Sequence, residues 1–319
     1  MTTGEPIPAP VPVRSAPHEQ VGEPPLYKRA PLTFAIIAVN LAVFAGQVAM
    51  GGLRSLVGMP SWVLLAFGGN SVGATLYEQR YETLLTSCFV HGSLLHIAFN
   101  MVALRQIGPF VERTVGASRM APLYILTGLG GSTGSTFFGW LSQAQRLSVG
   151  ASGAICGLIG AALVVGYRVE GPRSSLMRAM AGWLATILAL GLAVSFLINL
   201  NGHASQSFDN AAHAGGALAG VSIAITWRRG EAPSSAVKTL TLALCTGLLV
   251  GTGVRVARFS LSDPFALLTA PDRLALAARW IDAGNCRDAA AAITSVKHLM
   301  APDAPEVRLI ERNYWSRCR

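Results

Sequence analysis

Apolar residues fall in long, nearly unbroken runs, separated by short connections that carry most of the arginines. A helix needs about 20 apolar residues to cross the hydrocarbon core of a bilayer. Seven runs predict spans at about 31–50, 84–110, 118–140, 152–167, 177–197, 211–227 and 237–256. The expected fold is therefore all-α, a polytopic transmembrane helical bundle. Gly and other small residues crowd spans three, four and six. In lipid no hydrophobic force drives helices together, and small residues that let backbones approach take over that role.

The pattern changes outside these runs. Residues 1–26 are polar and proline-rich, which predicts a disordered tail rather than a cleavable signal. Residues 51–83 form a long connection. Within it, Ser61–Phe67 is apolar but too short to span, and reads as an interfacial segment or an ordinary packed loop. After residue 258 the apolar positions take helical spacing. Leu274, Ala277, Ala278 and Ile281 are followed by a break at Gly284-Asn285. Ala289, Ala290, Ile293 and Val296 come next, then Val307 and Ile310. A tetratricopeptide-like hairpin is one reading. One such unit is too few to stand alone, so an amphipathic appendage is expected. The chain divides into a tail at 1–26, a six-span core at 27–230, a seventh span at 231–257 and an extramembrane helical tail at 258–319.

Composition sharpens the membrane reading. The 319 residues are 51% hydrophobic and 13% charged, against roughly 25% charged in soluble domains. The net charge of +9 does not point to nucleic acid, because most Lys and Arg flank apolar runs; the partner implied is the lipid bilayer. Lys28 and Arg29 precede span one. Arg105, Arg113 and Arg119 flank the second connection. Arg168, Arg173 and Arg178 lie between spans four and five, and Arg228, Arg229 and Lys238 between six and seven. The opposite side holds only Arg54, Arg80 and Arg146 in its loops. The positive-inside rule then places the N-terminus in the cytoplasm and the C-terminus outside. Cys286 and Cys318 can pair if the tail meets an oxidising compartment, whereas Cys88, Cys156 and Cys245 lie in apolar segments.

Three polar clusters interrupt the apolar runs, and ionisable groups at such depth point to function. Ser152 opens span four between Gly150 and Gly153. A serine needs a base to become a nucleophile, and His213 is the candidate. Gly153 and Gly157 beside Ser152, and Gly216 and Gly220 after His213, leave two bare helix faces that can bring serine and histidine together. His96 and Asn100 are four apart and share a helix face, where both are suitable oxyanion donors. His91 lies nearby in the same predicted span. His91, His96 and His213 could serve as three metal ligands. No carboxylate or cysteine falls at ligand spacing and the first two are five apart, so the serine reading is preferred and no metal is expected. Singly, each motif also fits packing: a Ser in a Gly-rich membrane helix, or a core histidine with satisfied partners.

Together, in this order and spacing, the motifs resemble those of rhomboid intramembrane serine proteases over about 84–227. They are His91-x4-His96-x3-Asn100, Gly108-x3-Glu112-Arg113, Gly150-x-Ser152-Gly153 and Ala212-His213-x2-Gly216-x3-Gly220. The resemblance implies a six-helix core with one extra C-terminal span. It implies Ser152 as nucleophile and His213 as its base, in a dyad without an acid. Asn100, His96 and the Ser152 N–H would form the oxyanion hole, with His91 a structural neighbour. Residues 199–212 would be a loop over the site. Substrates would be single-span transmembrane proteins cut near the outer surface, without a cofactor, in a bacterial inner membrane. Two positions depart from the family pattern: Cys156 replaces an aromatic residue four after the nucleophile, and Glu82-Thr83 replaces Trp-Arg. A non-catalytic rhomboid-like protein binding membrane clients is the alternative. A transporter is a more distant rival, because no repeat relates the two halves of the chain.

Overall fold

In a computed structural model the chain is described for residues 25–142, 147–200, 209–227, 234–262, 265, 268–297, 299–300 and 304–318. Most of the expected N-terminal tail, residues 1–24, lies outside the described residues. Seven long helices follow: α1 (Pro31–Gly51), α2 (Leu94–Val115), α3 (Ala117–Leu141), α4 (Ser152–Glu170), α5 (Ser175–Leu200), α6 (Asn210–Thr226) and α7 (Ser235–Ser262). By length and composition, α1, α2, α4, α5 and α7 can each cross a membrane. α6 falls short in length at 17 residues, and α3 in apolarity, through its Gly, Ser and Thr between 127 and 136. The protein is a multi-pass membrane bundle.

α4 is the hub. It is packed by α6, α3, α5 and α2, and its Ala, Gly, Ile and Leu residues are almost wholly enclosed. The crossing with α6 is a backbone approach. A Cβ at Gly216 would collide with the carbonyl of Gly153, and one at Gly220 with that of Gly157. The bare faces read from the sequence therefore meet each other.

A buried carboxylate ties α2 to the start of α1. Glu112 accepts hydrogen bonds from the N–H groups of Leu32 (2.9 Å) and Thr33 (2.7 Å) and from the Thr33 hydroxyl (2.7 Å). The N–H groups of a first helical turn have no intrahelical partner, and a carboxylate there also meets the positive end of the helix dipole.

One boundary differs from expectation. Span two does not begin at 84. Residues Thr83–Thr86 form a separate short helix, Ser87–Phe89 a 3-10 turn, and α2 starts only at Leu94, capped by the Ser93 hydroxyl accepting from the His96 N–H at 3.2 Å. His91 thus precedes the helix that was expected to carry it. Apolar content could not show this, because residues 84–90 are as apolar as a span yet form a short helix and a 3-10 turn packed against protein. The first connection is likewise packed structure: Ser61–Ala66 is helical and buries Val63, Leu64 and Leu65.

The tail forms three helices, α8 (Ala270–Asp282), α9 (Cys286–Lys297) and α10 (Pro305–Arg317). They share a small core of Ala277, Ile281, Ala289, Ala292, Ile293 and Ile310. A Cys286–Cys318 disulfide, with Cα atoms 5.5 Å apart, joins the start of α9 to the end of α10. Closing a ring of this size stabilises a unit by about 2–4 kcal/mol, which helps a core too small to suffice alone.

Candidate active site

Ser152 and His213 meet where α4 and α6 begin. The Ser152 Oγ and His213 Nε2 are 2.9 Å apart, and His213 is only 4% exposed. Several local features place the two groups. α6 is capped by Asp209, whose Oδ1 accepts from the Ala212 N–H at 3.0 Å. His213 then falls in the first turn, on the face bared by Gly216. α3 closes the third side: Gly131 has room for no side chain against the Ala212 carbonyl and Gly153.

The segment entering Ser152 is held from two sides. Ser148 and Asn70 exchange backbone hydrogen bonds of 2.8 and 3.1 Å, an isolated antiparallel bridge. The Gly150 N–H donates to the Ser87 carbonyl at 2.9 Å. Asn70 is itself fully buried. Its Nδ2 donates to Thr136 Oγ1 (2.9 Å) and the Ser132 carbonyl (3.2 Å), and its Oδ1 accepts from Thr75 Oγ1 (2.6 Å). The Ser148 and Ser135 hydroxyls both donate to Asp209 Oδ2, each at 2.5 Å. One carboxylate thus joins α3, the segment before Ser152 and the start of α6.

Gly150 has φ +118°, a conformation that L side chains rarely adopt. A Cβ there would also stand 2.7 Å from His96 Nε2 and 3.6 Å from Asn100 Nδ2. His96 and Asn100 therefore both face the backbone just before Ser152. The His96 Nδ1 accepts from the Gly92 N–H at 3.4 Å, so its ring hydrogen belongs on Nε2, toward Gly150. Asn100 Nδ2 spends one hydrogen on the His96 carbonyl (3.1 Å) and keeps a second. As the first residue of α4, Ser152 has an N–H that the helix does not use.

His91 stands one layer back. Its backbone is clasped by Gln47, whose side chain accepts from the His91 N–H and donates to the His91 carbonyl, both at 3.1 Å. Its ring packs edge-on to His96, with centroids 5.2 Å apart. Burial, with His96 adding, pushes the His91 imidazole down to about 3, so it stays neutral. Its Nδ1 lies 3.3 Å from the Phe89 carbonyl and, in that form, donates to it.

Cys156 is buried one turn after Ser152. Glu82 and Thr83, the other departure, are both engaged. Glu82 pairs with Arg80 (3.5 Å) and Arg255 (3.6 Å), and Thr83 Oγ1 donates to the Arg80 carbonyl (2.7 Å). Of the expected loop at 199–212, residues 201–208 lie outside the described residues, while Leu200 ends α5 and Asn210–Ala212 open α6. Among the described residues, no three His, Cys, Asp or Glu side chains are grouped to hold a metal ion.

The Rhomboid domain family model matches residues 78–230, the stretch that carries all of these groups except Gln47, Asn70, Thr75 and Arg255. Over that stretch the chain is similar to the rhomboid family. It is 39% identical to RHOMBOID-like protein 5 of Arabidopsis thaliana over 150 residues, 46% of this chain and 44% of that protein. It is 28% identical to Rhomboid protease GluP of Bacillus subtilis (strain 168) over 219 residues, 69% of this chain and 39% of that protein. A third relative, Rhomboid protease AarA of Providencia stuartii, is 28% identical over 211 residues, 61% of this chain and 72% of that protein. The chain thus spans less than half the length of the first two. The rhomboid domain begins at the loop and takes in α2 to α6, whereas α7 and the disulfide-linked tail lie beyond it.

Sequence reasoning did not find Asn70, Ser87 or Ser148, or Asp209 as the carboxylate that joins Ser148 and Ser135 to α6. An isolated bridge has no periodicity, and a single Asn beside Gly68-Gly69 reads only as a turn. Asp209 did carry a legible signal, since Asp ahead of an apolar run is a cap.

Proposed function

We propose that this protein is an intramembrane serine endopeptidase working by a Ser152–His213 dyad. The observation that carries the reading is the 2.9 Å contact between the Ser152 Oγ and His213 Nε2. With Nε2 accepting, the ring hydrogen sits on Nδ1, the tautomer a general base requires. His213 takes the Ser152 proton as the oxygen attacks a scissile carbonyl, and returns it to the leaving amine. The developing oxyanion would be met by the Ser152 N–H, His96 Nε2–H and the spare Asn100 N–H, which converge around Gly150. Water then resolves the acyl-enzyme with His213 again as base.

Substrates follow from where the dyad lies. Ser152, His96 and His213 all sit at helix N-terminal ends, opposite the start of α1 that Glu112 caps. Charge asymmetry makes the α1 end cytoplasmic, so cleavage falls near the outer surface of a bacterial inner membrane. The substrates are single-span transmembrane proteins.

A fluorophosphonate probe on the detergent-solubilised protein tests the reading. Labelling at Ser152, absent in His213→Ala, is expected together with cleavage of a reconstituted single-span protein. A folded protein that neither labels nor cleaves would leave the non-catalytic alternative standing.

A further inference from the structure

The tail reaches the first connection through one buried arginine. Arg273, in the first turn of α8, is 2% exposed. Its Nε donates to the Leu268 carbonyl (3.0 Å) and its Nη1 to the Ser295 carbonyl (3.3 Å), both within the tail. Its Nη2 donates to Glu78 Oε1 at 2.8 Å, 195 positions earlier. A guanidinium presents five donors in a fixed fork, so it can bind two tail carbonyls and still aim at a carboxylate.

From Glu78 the polar contacts continue toward the site. Glu78 faces Arg80 at 4.0 Å, and Arg80 lies over the Phe259 ring of α7, 4.0 Å from its centroid. The Arg80 N–H donates to the Ala74 carbonyl and its own carbonyl receives the Thr83 hydroxyl. Thr83 Oγ1 meets Thr75 Oγ1 at 3.0 Å, and Thr75 donates to Asn70. Asn70 pairs with Ser148, four residues before Ser152. α7 adds a second hold, with the Ser260 hydroxyl donating to the Ala66 carbonyl at 3.2 Å. The bridge has only two backbone hydrogen bonds, and so short a pairing depends on what surrounds it.

We propose that Arg273 is a positioning residue for the Ser152 site. Through Glu78 it holds the connection at 70–83, and through the Asn70–Ser148 bridge it holds the segment that presents the nucleophile. The geometry stands by itself, and the catalytic consequence rests on the serine-protease reading.

The test uses the full chain in detergent. Three variants are compared with wild type: Arg273→Met, Arg273→Lys, and Glu78→Gln, which leaves both tail-internal bonds of Arg273 in place. Two quantities are read on the folded, monodisperse fraction: amide exchange in peptides covering 69–77 and 147–156, and the fluorophosphonate labelling rate at Ser152. In Arg273→Met and Glu78→Gln, exchange in both peptides should rise about tenfold. Labelling should slow about tenfold, as expected for a displaced nucleophile, and kcat should fall with KM within twofold. Arg273→Lys should recover labelling to within about threefold of wild type. A residue with only a stability role would lower the folded yield without changing the rate per folded molecule. Unchanged exchange in Glu78→Gln would overturn the clamp, and faster exchange with wild-type labelling would overturn the positioning role. If wild type itself is not labelled, the protease reading fails, while exchange in the variants still decides the clamp.

Discussion

The Asp209 carboxylate receives the Ser148 hydroxyl at 2.5 Å, and the same oxygen receives Ser135. Its other oxygen caps α6 through the Ala212 N–H. An acid one turn before His213 invites recruitment as a third catalytic member, yet these partners show it committed to the architecture around the dyad. Asp209→Asn keeps the cap through Oδ1 and puts an NH2 in place of Oδ2, to which the Ser135 and Ser148 hydroxyls can turn as acceptors. It should change activity by less than about tenfold, because side-chain amide and carboxylate both cap well. Initial rates on a reconstituted single-span substrate check this. A loss equal to that of His213→Ala would make the site a triad.

Ser152→Ala and His213→Ala should each abolish cleavage. The double variant should be no worse than either single one, since nucleophile and base act as a unit. Thermal melts of all three should stay close to wild type. Residual turnover in Ser152→Ala would end the serine mechanism.

Asn100→Ala removes a donor aimed at the backbone beside the nucleophile. The expected loss is on the order of 10²–10³ in kcat, with KM little changed. Equal loss in KM alone would instead mark Asn100 as a substrate-binding group.

Gly216→Ala places a methyl against the Gly153 carbonyl and pushes α6 from α4. Overpacking of this kind costs about 1–3 kcal/mol and should also separate His213 from Ser152. Gly247→Ala is the control, because a Cβ at Gly247 in α7 meets nothing within 4 Å. The first variant should melt lower and lose activity, and the second should do neither.

The helices were legible because apolar length and small-residue clustering are one-dimensional signals. His96 and Asn100 were legible because i, i+4 spacing makes a shared face. The start of α2 was not, since residues 84–90 are apolar for a different reason: they form short helical turns packed against protein, separate from the long helix. The supports of Ser152 were hidden for a related cause. Asn70 meets Ser148, and Glu78 meets Arg273, only after the bundle has formed, and no local pattern anticipates a partner 78 or 195 positions away. The departure at Glu82-Thr83 is likewise resolved in space. Its ionic contacts come from Arg80 in the loop and Arg255 in α7, a helix outside the family domain.

The Arg273–Glu78 pair also sets an order of assembly. Glu78 leaves the ribosome 195 residues before its partner, a delay of about 10–40 s at ordinary synthesis rates. During that interval the earlier helices can insert and pack, but the loop at their far end lacks its contact with the tail. Arg273 must first be made and delivered to the side of the bundle where Ser152 lies. A nascent chain therefore carries its dyad before it carries the last brace for it, and a ribosome that stalls before α8 releases a bundle with that brace missing.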